Sequence, residues 1–345
     1  MLKTRNLVIL AVILVALAGI NFWQKSSHRA STSGSALEVV LDQEFTRDNL
    51  GKITLGFADN PEAVVMTTSP AGWLVDTAFD TPASEQRLDT LLRGLSNLTG
   101  EFRSDKAGVL DQYGLDSAGA VKVRGYDPQG QEVLALDIGK TPERFPGQFV
   151  SLPGQDKVWL TQKSILGNLG IYGAPEAPQS KFFLELQAIK EDRLDVDRLV
   201  LRDGEVTLDL VKEFAVEELP EDAPEGTTPE VDRLTWEWRL EGAPDTALAK
   251  TKVDAVLGAA VSIRATDVAD PSVSLDQYGL DQVVRTVTLH LQDGTTRELQ
   301  FGATREAAGG QQAGTYLRLE GSPRIWLVTD YTTRNLFKAL TDLQP

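Results

Sequence analysis

A chain of 345 residues, 41% hydrophobic and 24% charged, is long enough for two ordinary cores and apolar enough to bury both. Its 50 Asp and Glu against 34 Lys and Arg leave a formal charge of −16, which excludes the Lys/Arg surplus that nucleic-acid phosphates require and disfavours docking on anionic lipid. With no cysteine, a disulfide framework, thiolate zinc or iron–sulfur ligation and S-acylation are excluded as well.

The first element is apolar from Leu7 to Ile20, and Phe22 and Trp23 extend it to about 17 residues, or about 25 Å as a helix, near the short limit for a bilayer. Lys3 and Arg5 precede it and Lys25 and Arg29 follow, so the flanking charge alone does not orient it. Two readings stand. Ala16-Leu17-Ala18 resembles a signal-peptidase site, whereas the apolar run continuing to Trp23 favours an uncleaved anchor, assigned to 1–24. Either exports the remainder, with 25–37 as a small, polar, flexible tether.

Beyond the tether the chain repeats itself. Residues 73–116 laid over 238–281 without a gap give fourteen identities in 44 positions, ending in the shared heptapeptide "LDQYGLD" at Leu110–Asp116 and Leu275–Asp281. The unbroken register points to duplication, with repeat 1 at 38–175, a Pro-rich linker at 176–184 and repeat 2 at 185–345. Each repeat begins with two or three strands, "KITLGF" and "VVMTT" in the first, "DRLVLRD" and "LTWEWRL" in the second. An amphipathic helix follows, with Leu88, Leu91, Leu92, Leu95 and Leu98 matched by Val253, Val256, Leu257, Ala260 and Ile263, and Asp80 or Asp245 expected as its N-cap.

After each "YGLD" the period changes to two. Val121 and Val123 lead through "DPQG" to Leu134, Leu136 and Ile138 before Gly139, while Val287, Leu289 and Leu291 lead through Asp293-Gly294 to Leu299 and Phe301 before Gly302. Each is expected to be a hairpin with one buried face, followed by one strand around Trp159 or Trp326. Repeat 2 ends in a helix from Tyr331 to Leu343, and carries an acidic surface loop at 217–232 that repeat 1 lacks. The predicted class is α+β: an N-terminal transmembrane helix, then two tandem repeats, each a mostly antiparallel sheet with one main amphipathic helix.

As chemistry, the Asp residues around Tyr113 and Tyr278 could form a carboxylate dyad or a hard-metal site. As structure, Gly114 and Gly279 supply a backbone angle other residues avoid, Leu115 and Leu280 pack, and Asp116 and Asp281 turn the chain. The structural reading is preferred because a turn between helix and hairpin must be kept in every copy. Trp73, Trp238, Trp159 and Trp326 read as core aromatics.

A histidine base is hard to find. His28 lies in the tether and His290 on the polar face of its strand, and two distant histidines cannot build a zinc site. "LGNLGIYG" at Leu166–Gly173 lacks the phosphate-loop lysine, and Asn97-Leu98-Thr99 falls in the predicted helix, which weakens it as a glycosylation site. No catalytic, cofactor or metal residue is assigned. Carboxylate-only catalysis stays open, since fifty acidic residues guarantee some neighbours.

The ordered series Trp73, Asp80, Tyr113 to Asp116, Ile138-Gly139 and Val158-Trp159-Leu160, repeated as Trp238, Asp245, Tyr278 to Asp281, Phe301-Gly302 and Ile325-Trp326-Leu327, resembles the bacterial family called domain of unknown function 4340. The resemblance implies no catalytic residues. Family members are often associated with gliding-type ABC transporter components, so it implies a single-pass inner-membrane accessory protein with its bulk outside the cytoplasm. Its partners would be proteins of an envelope or ABC-type complex, with no nucleic acid. Two alternatives are an envelope hydrolase using Asp or Glu and a glycan- or peptide-binding module.

Overall fold

The computed structural model describes residues 37–143, 145–216, 231–307 and 312–345. The expected anchor at 1–24 lies outside them, as do the tether to residue 36 and loop residues 217–230. Among the described residues no helix is long and apolar enough to cross a membrane. The architecture is mixed α and β, with antiparallel sheets and few helices.

In chain order the first part contains β1 (Leu37–Val39), β2 (Lys52–Phe57), β3 (Asn60–Ser69), β4 (Gly72–Val75), β5 (Thr81–Pro82), helix α1 (Glu85–Leu95), β6 (Thr99–Ser104), β7 (Val121–Tyr126), β8 (Glu132–Ile138), β9 (Phe149–Ser151), β10 (Val158–Thr161) and α2 (Ile165–Asn168). The second contains α3 (Ser180–Phe183), β11 (Gln187–Lys190), β12 (Val196–Asp203), β13 (Val206–Val216), β14 (Val231–Leu240), α4 (Lys250–Val261), β15 (Ser262–Arg264), β16 (Asp267–Ala269), β17 (Arg285–Leu291), β18 (Thr296–Arg305), β19 (Gly314–Leu319), β20 (Ile325–Val328), α5 (Asp330–Leu336) and α6 (Leu340–Leu343).

Strand pairing identifies the repeat independently of the letters. The first copy pairs in the order β6-β10-β9-β8-β7-β2-β3-β4, and the second in the order β16-β20-β19-β18-β17-β12-β13-β14, position for position the same. The chain condenses into two compact units whose limits differ from those of the copies. One comprises the chain to Val65 together with Gln86–Gln179; the other comprises Met66–Glu85 together with Ser180–Pro345. Strand β3 therefore begins in the first unit and ends in the second. Within the second unit Ala83 bridges to Leu184, the Ser84 N–H donates to the Phe183 carbonyl at 2.6 Å, and the Glu185 N–H donates to the Pro82 carbonyl at 2.8 Å. The stretch read as linker, 176–184, thus includes helical turn α3, whose Phe183 is wholly buried.

Alternation explains the sheets. Val121 and Val123 of β7, Leu134, Leu136 and Ile138 of β8, and Val287 and Leu289 of β17 are buried, with the intervening residues less so. In α1, Leu88, Leu91, Leu92 and Leu95 form the buried stripe; Val253, Val256, Leu257 and Ala260 do the same in α4. At about 1.5–3 kcal/mol per large aliphatic side chain, such a stripe is the main reason either helix forms.

Several boundaries differ from expectation. Both helices stop sooner than read, so Leu98 and Ile263 are buried just past their helices. Asn97 accordingly sits in a turn at φ 49°, not in a helix. Asp80 and Asp245 are not N-caps: the helices start at Glu85 and Lys250, the cap position before Lys250 is Ala249, and both aspartates lie exposed in the preceding turns. Each single strand expected around Trp159 or Trp326 is a pair, β9–β10 and β19–β20, because the chain reverses at Gly154 and Gly321, both at positive φ. The C-terminal helix breaks at Phe337 into α5 and α6, and Val231 and Asp232, read as loop, open β14.

Candidate functional site

The shared heptapeptide builds the same turn twice. Leu110–Tyr113 and Leu275–Tyr278 each form a 3-10 turn closed by a left-handed glycine, Gly114 at φ 67° and Gly279 at φ 63°. The glycine N–H donates to the Asp111 or Asp276 carbonyl at 3.0 Å, and the Leu115 or Leu280 N–H returns to Leu110 or Leu275 at 2.9 Å. Leu115 and Leu280 are buried. Gly139 and Gly302 pass so close that a Cβ would lie 2.3 Å from the Tyr113 carbonyl oxygen and 2.1 Å from that of Tyr278. Tyr113 packs edge-on against Phe149, while Tyr278 packs on Tyr316 and donates its hydroxyl to the Asp270 carbonyl at 2.8 Å. Burial, with Asp270 and Tyr316 adding to it, pushes the Tyr278 hydroxyl above its ordinary range. Asp116 accepts the Gly119 N–H at 2.9 Å, and Asp281 is exposed.

The two turns differ in slack. A Cβ on Gly114 would approach the Lys140 nitrogen to 3.3 Å, whereas one on Gly279 would approach the Ala303 nitrogen to 2.8 Å. Gly114→Val is expected to destabilise by about 2 kcal/mol from backbone strain, and Gly279→Val by about 1 kcal/mol more from the clash; urea midpoints of the two variants check the order.

The tryptophans are buried in their units. Trp73 in β4 accepts the Ala83 N–H on its carbonyl at 2.8 Å, and Trp326 lies buried in β20. Trp159 donates its indole N–H to Glu38 at 2.8 Å, and Lys157 pairs with the same carboxylate at 2.8 Å. Hydrogen bonds from Lys157 and then Trp159 hold the Glu38 carboxyl below its usual range.

Trp238 opens onto a cluster that sequence reasoning missed. Its indole N–H donates to Asp254 of α4 at 2.7 Å, that of Trp236 reaches the same oxygen at 3.2 Å, and the Lys250 ammonium holds the other oxygen at 2.6 Å. Burial pushes the Asp254 carboxyl up, but these hydrogen bonds outweigh it and leave it lowered. Lys250 also lies over the Trp236 ring, 3.8 Å from its centroid. Lys212 of β13, 5% exposed, lies 4.3 Å from the same centroid, with Trp238 at 5.8 Å and Phe214 at 5.9 Å. Its ammonium donates to the Arg193 carbonyl at 2.5 Å. Burial drives its pKa down to about 8; Asp197 and Asp254 oppose the shift, Arg233 and Lys250 add to it.

The signal for Lys212 was present in the letters. Leu208, Leu210, Lys212 and Phe214 alternate in one strand, so a lysine occupies an inward position in an apolar series. The cluster belongs to the second copy alone. Lys212 stands opposite Trp238 in the ladder, whereas Thr68 stands opposite Trp73, and the position of Lys250 is held in the first copy by Glu85.

The second unit also carries two open grooves. One, of about 460 Å³, is lined mainly by Leu201, Val206, Leu208, Phe337 and Leu340; the other, of about 780 Å³, runs along Ala255 and Ala259 of α4 past Tyr331 and Asn335. His290 lies on β17 with Nδ1 3.4 Å from the Thr296 hydroxyl. Among the described residues no group of three His, Cys, Asp or Glu could hold a metal ion.

The family model described as "Domain of unknown function (DUF4340)" matches residues 73–215 and 238–344, most of the chain in two segments. The chain belongs to this family. No match was found among curated proteins or among solved structures. The two DUF4340 segments begin at Trp73 and Trp238, the first residues of the gap-free overlay. In this DUF4340 chain Lys212, Trp238, Lys250 and Asp254 lie within those two segments, whereas Arg233 and Trp236 fall between them.

Proposed function

We propose that the chain is an accessory protein held at the inner membrane by its N-terminal segment 1–24. Its two exported repeats form a non-catalytic interaction module beside an ABC-type or other envelope complex. The reading is supported by how the repeated residues are used. Tyr113, Gly114 and Leu115, with Tyr278, Gly279 and Leu280, are engaged in closing turns and filling cores. The second unit offers to solvent two open grooves, each with a single carboxylate in its lining, Asp203 in one and Asp342 in the other, while a groove of the first unit is lined by Glu44 and by Asp89, the latter paired with Arg47 at 2.7 Å. A hydrolase working by paired carboxylates needs two converging in one cleft.

The export argument rests on the apolar run from Leu7 to Trp23. Isolating the tethered full chain from membranes in mild detergent should recover a permease or ATPase subunit of an ABC-type complex in a fixed ratio. Recovery of the protein without any such subunit would overturn the assignment. The intact mass of the mature chain separates anchor from cleaved leader.

A further inference from the structure

Lys212 presents a charge-balance problem that the interaction-module reading does not use. Two carboxylates face its ammonium, Asp197 from β12 and Asp254 from α4, and two other cations, Arg233 from β14 and Lys250 from α4. Both carboxylates are already taken: Asp197 pairs with Arg233, which also stacks on Phe214 at 4.4 Å, and Asp254 pairs with Lys250. Among the described residues three cations thus share two anions. Lys212 is the cation left without a carboxylate of its own among the described residues, held by one backbone carbonyl and the faces of aromatic rings. Losing its proton would make the cluster neutral.

The strands that enclose it form one edge of their sheet. β14 is terminal and pairs only with β13, and their register slips between Phe214 and Ala215. At 5% exposure Lys212 must be uncovered before its proton can exchange with water, so opening of these strands and protonation are linked.

We propose that Lys212 makes the β13–β14 hairpin a proton-operated element of the second unit, loosened when the amine is charged and tightened when it is neutral. The direction follows from linkage. An uncovered lysine titrates near 10.4, the enclosed one at about 8, so the closed hairpin binds fewer protons between those values. The penalty against closure is fully present below about pH 8 and disappears as pH rises towards the free value. This proposal does not depend on the identity of any partner.

Amide hydrogen exchange of the full chain, corrected for intrinsic rates at constant ionic strength, tests it. From about pH 6.5 to about pH 9 the protection of β13 and β14 amides should rise about tenfold, while amides of β17 and β18 that exchange by other openings change less than about twofold. Lys212→Met should abolish the rise and protect the hairpin more strongly at the lower pH. Lys212→Gln, which keeps a donor for the Arg193 carbonyl, provides the same test should the methionine variant fold poorly. An unchanged wild-type hairpin, an equal rise throughout the second unit, or a rise that survives loss of the lysine would each overturn the proposal.

Discussion

Replacing Gly302 with valine is expected to leave the second unit unable to reach its native state at ordinary temperature. A Cβ there would sit 2.1 Å from the Tyr278 carbonyl oxygen and 2.9 Å from Leu280 Cγ. The obstacle is backbone on one side and a buried leucine on the other, so neither can swing away as a flexible side chain would. The cost should be about 4 kcal/mol or more, a large share of the 5–15 kcal/mol by which a domain is held together. Urea unfolding followed by tryptophan fluorescence reports it. Gly258 provides the control: it lies exposed within α4, and a Cβ added there would meet nothing within 4 Å, so Gly258→Ala should stabilise by about 0.5–1 kcal/mol. A Gly302→Val protein with wild-type stability would show that the turn is not held by this contact.

Asp254→Ala should be the most damaging change at the Lys212 cluster. It removes the acceptor for the indole N–H groups of both Trp236 and Trp238 and the counter-ion of Lys250. Asp197 would then face three cations. Two buried donors without an acceptor and an uncompensated charge together predict a loss of about 3–4 kcal/mol. Asp254→Asn, which keeps an acceptor for the indoles but not the charge, should lose about half as much. Because the Asp254 carboxyl is lowered in the folded protein, its contribution is present above the ordinary aspartate value near 3.9 and is lost as pH falls through its folded value. The wild-type and Asp254→Ala unfolding midpoints should therefore converge in acid.

The duplication was legible because it leaves two kinds of trace: letters kept at turns, and a period that switches from helical to alternating after Asp116 and Asp281. Strands β7, β8, β17 and β18 could be read from alternation alone, since each presents one face to a core. Strands β6 and β16 could not. "TGEFRS" and "DVA" lack a run of alternating apolar residues, and they are strands because β10 and β20 pair with them. The N-caps assigned to Asp80 and Asp245 illustrate the opposite error, a favourable residue type with the chain still turning for several residues before its helix begins. The cluster was hidden because its members come from β12, β13, β14 and α4, and no spacing in one dimension brings Asp197, Lys212, Trp236 and Asp254 together.

The passage of β3 from one unit to the other at Val65 bears on how the protein is made. A ribosome delivers Met66–Glu85 well before Ser180–Glu185, yet the Ala83, Ser84 and Pro82 backbone groups find their bonding partners in that later stretch. The early piece must wait, its polar backbone satisfied by water, until about a hundred further residues have emerged. Cutting the gene between the copies would therefore divide the second unit, because twenty of its residues would leave with the first.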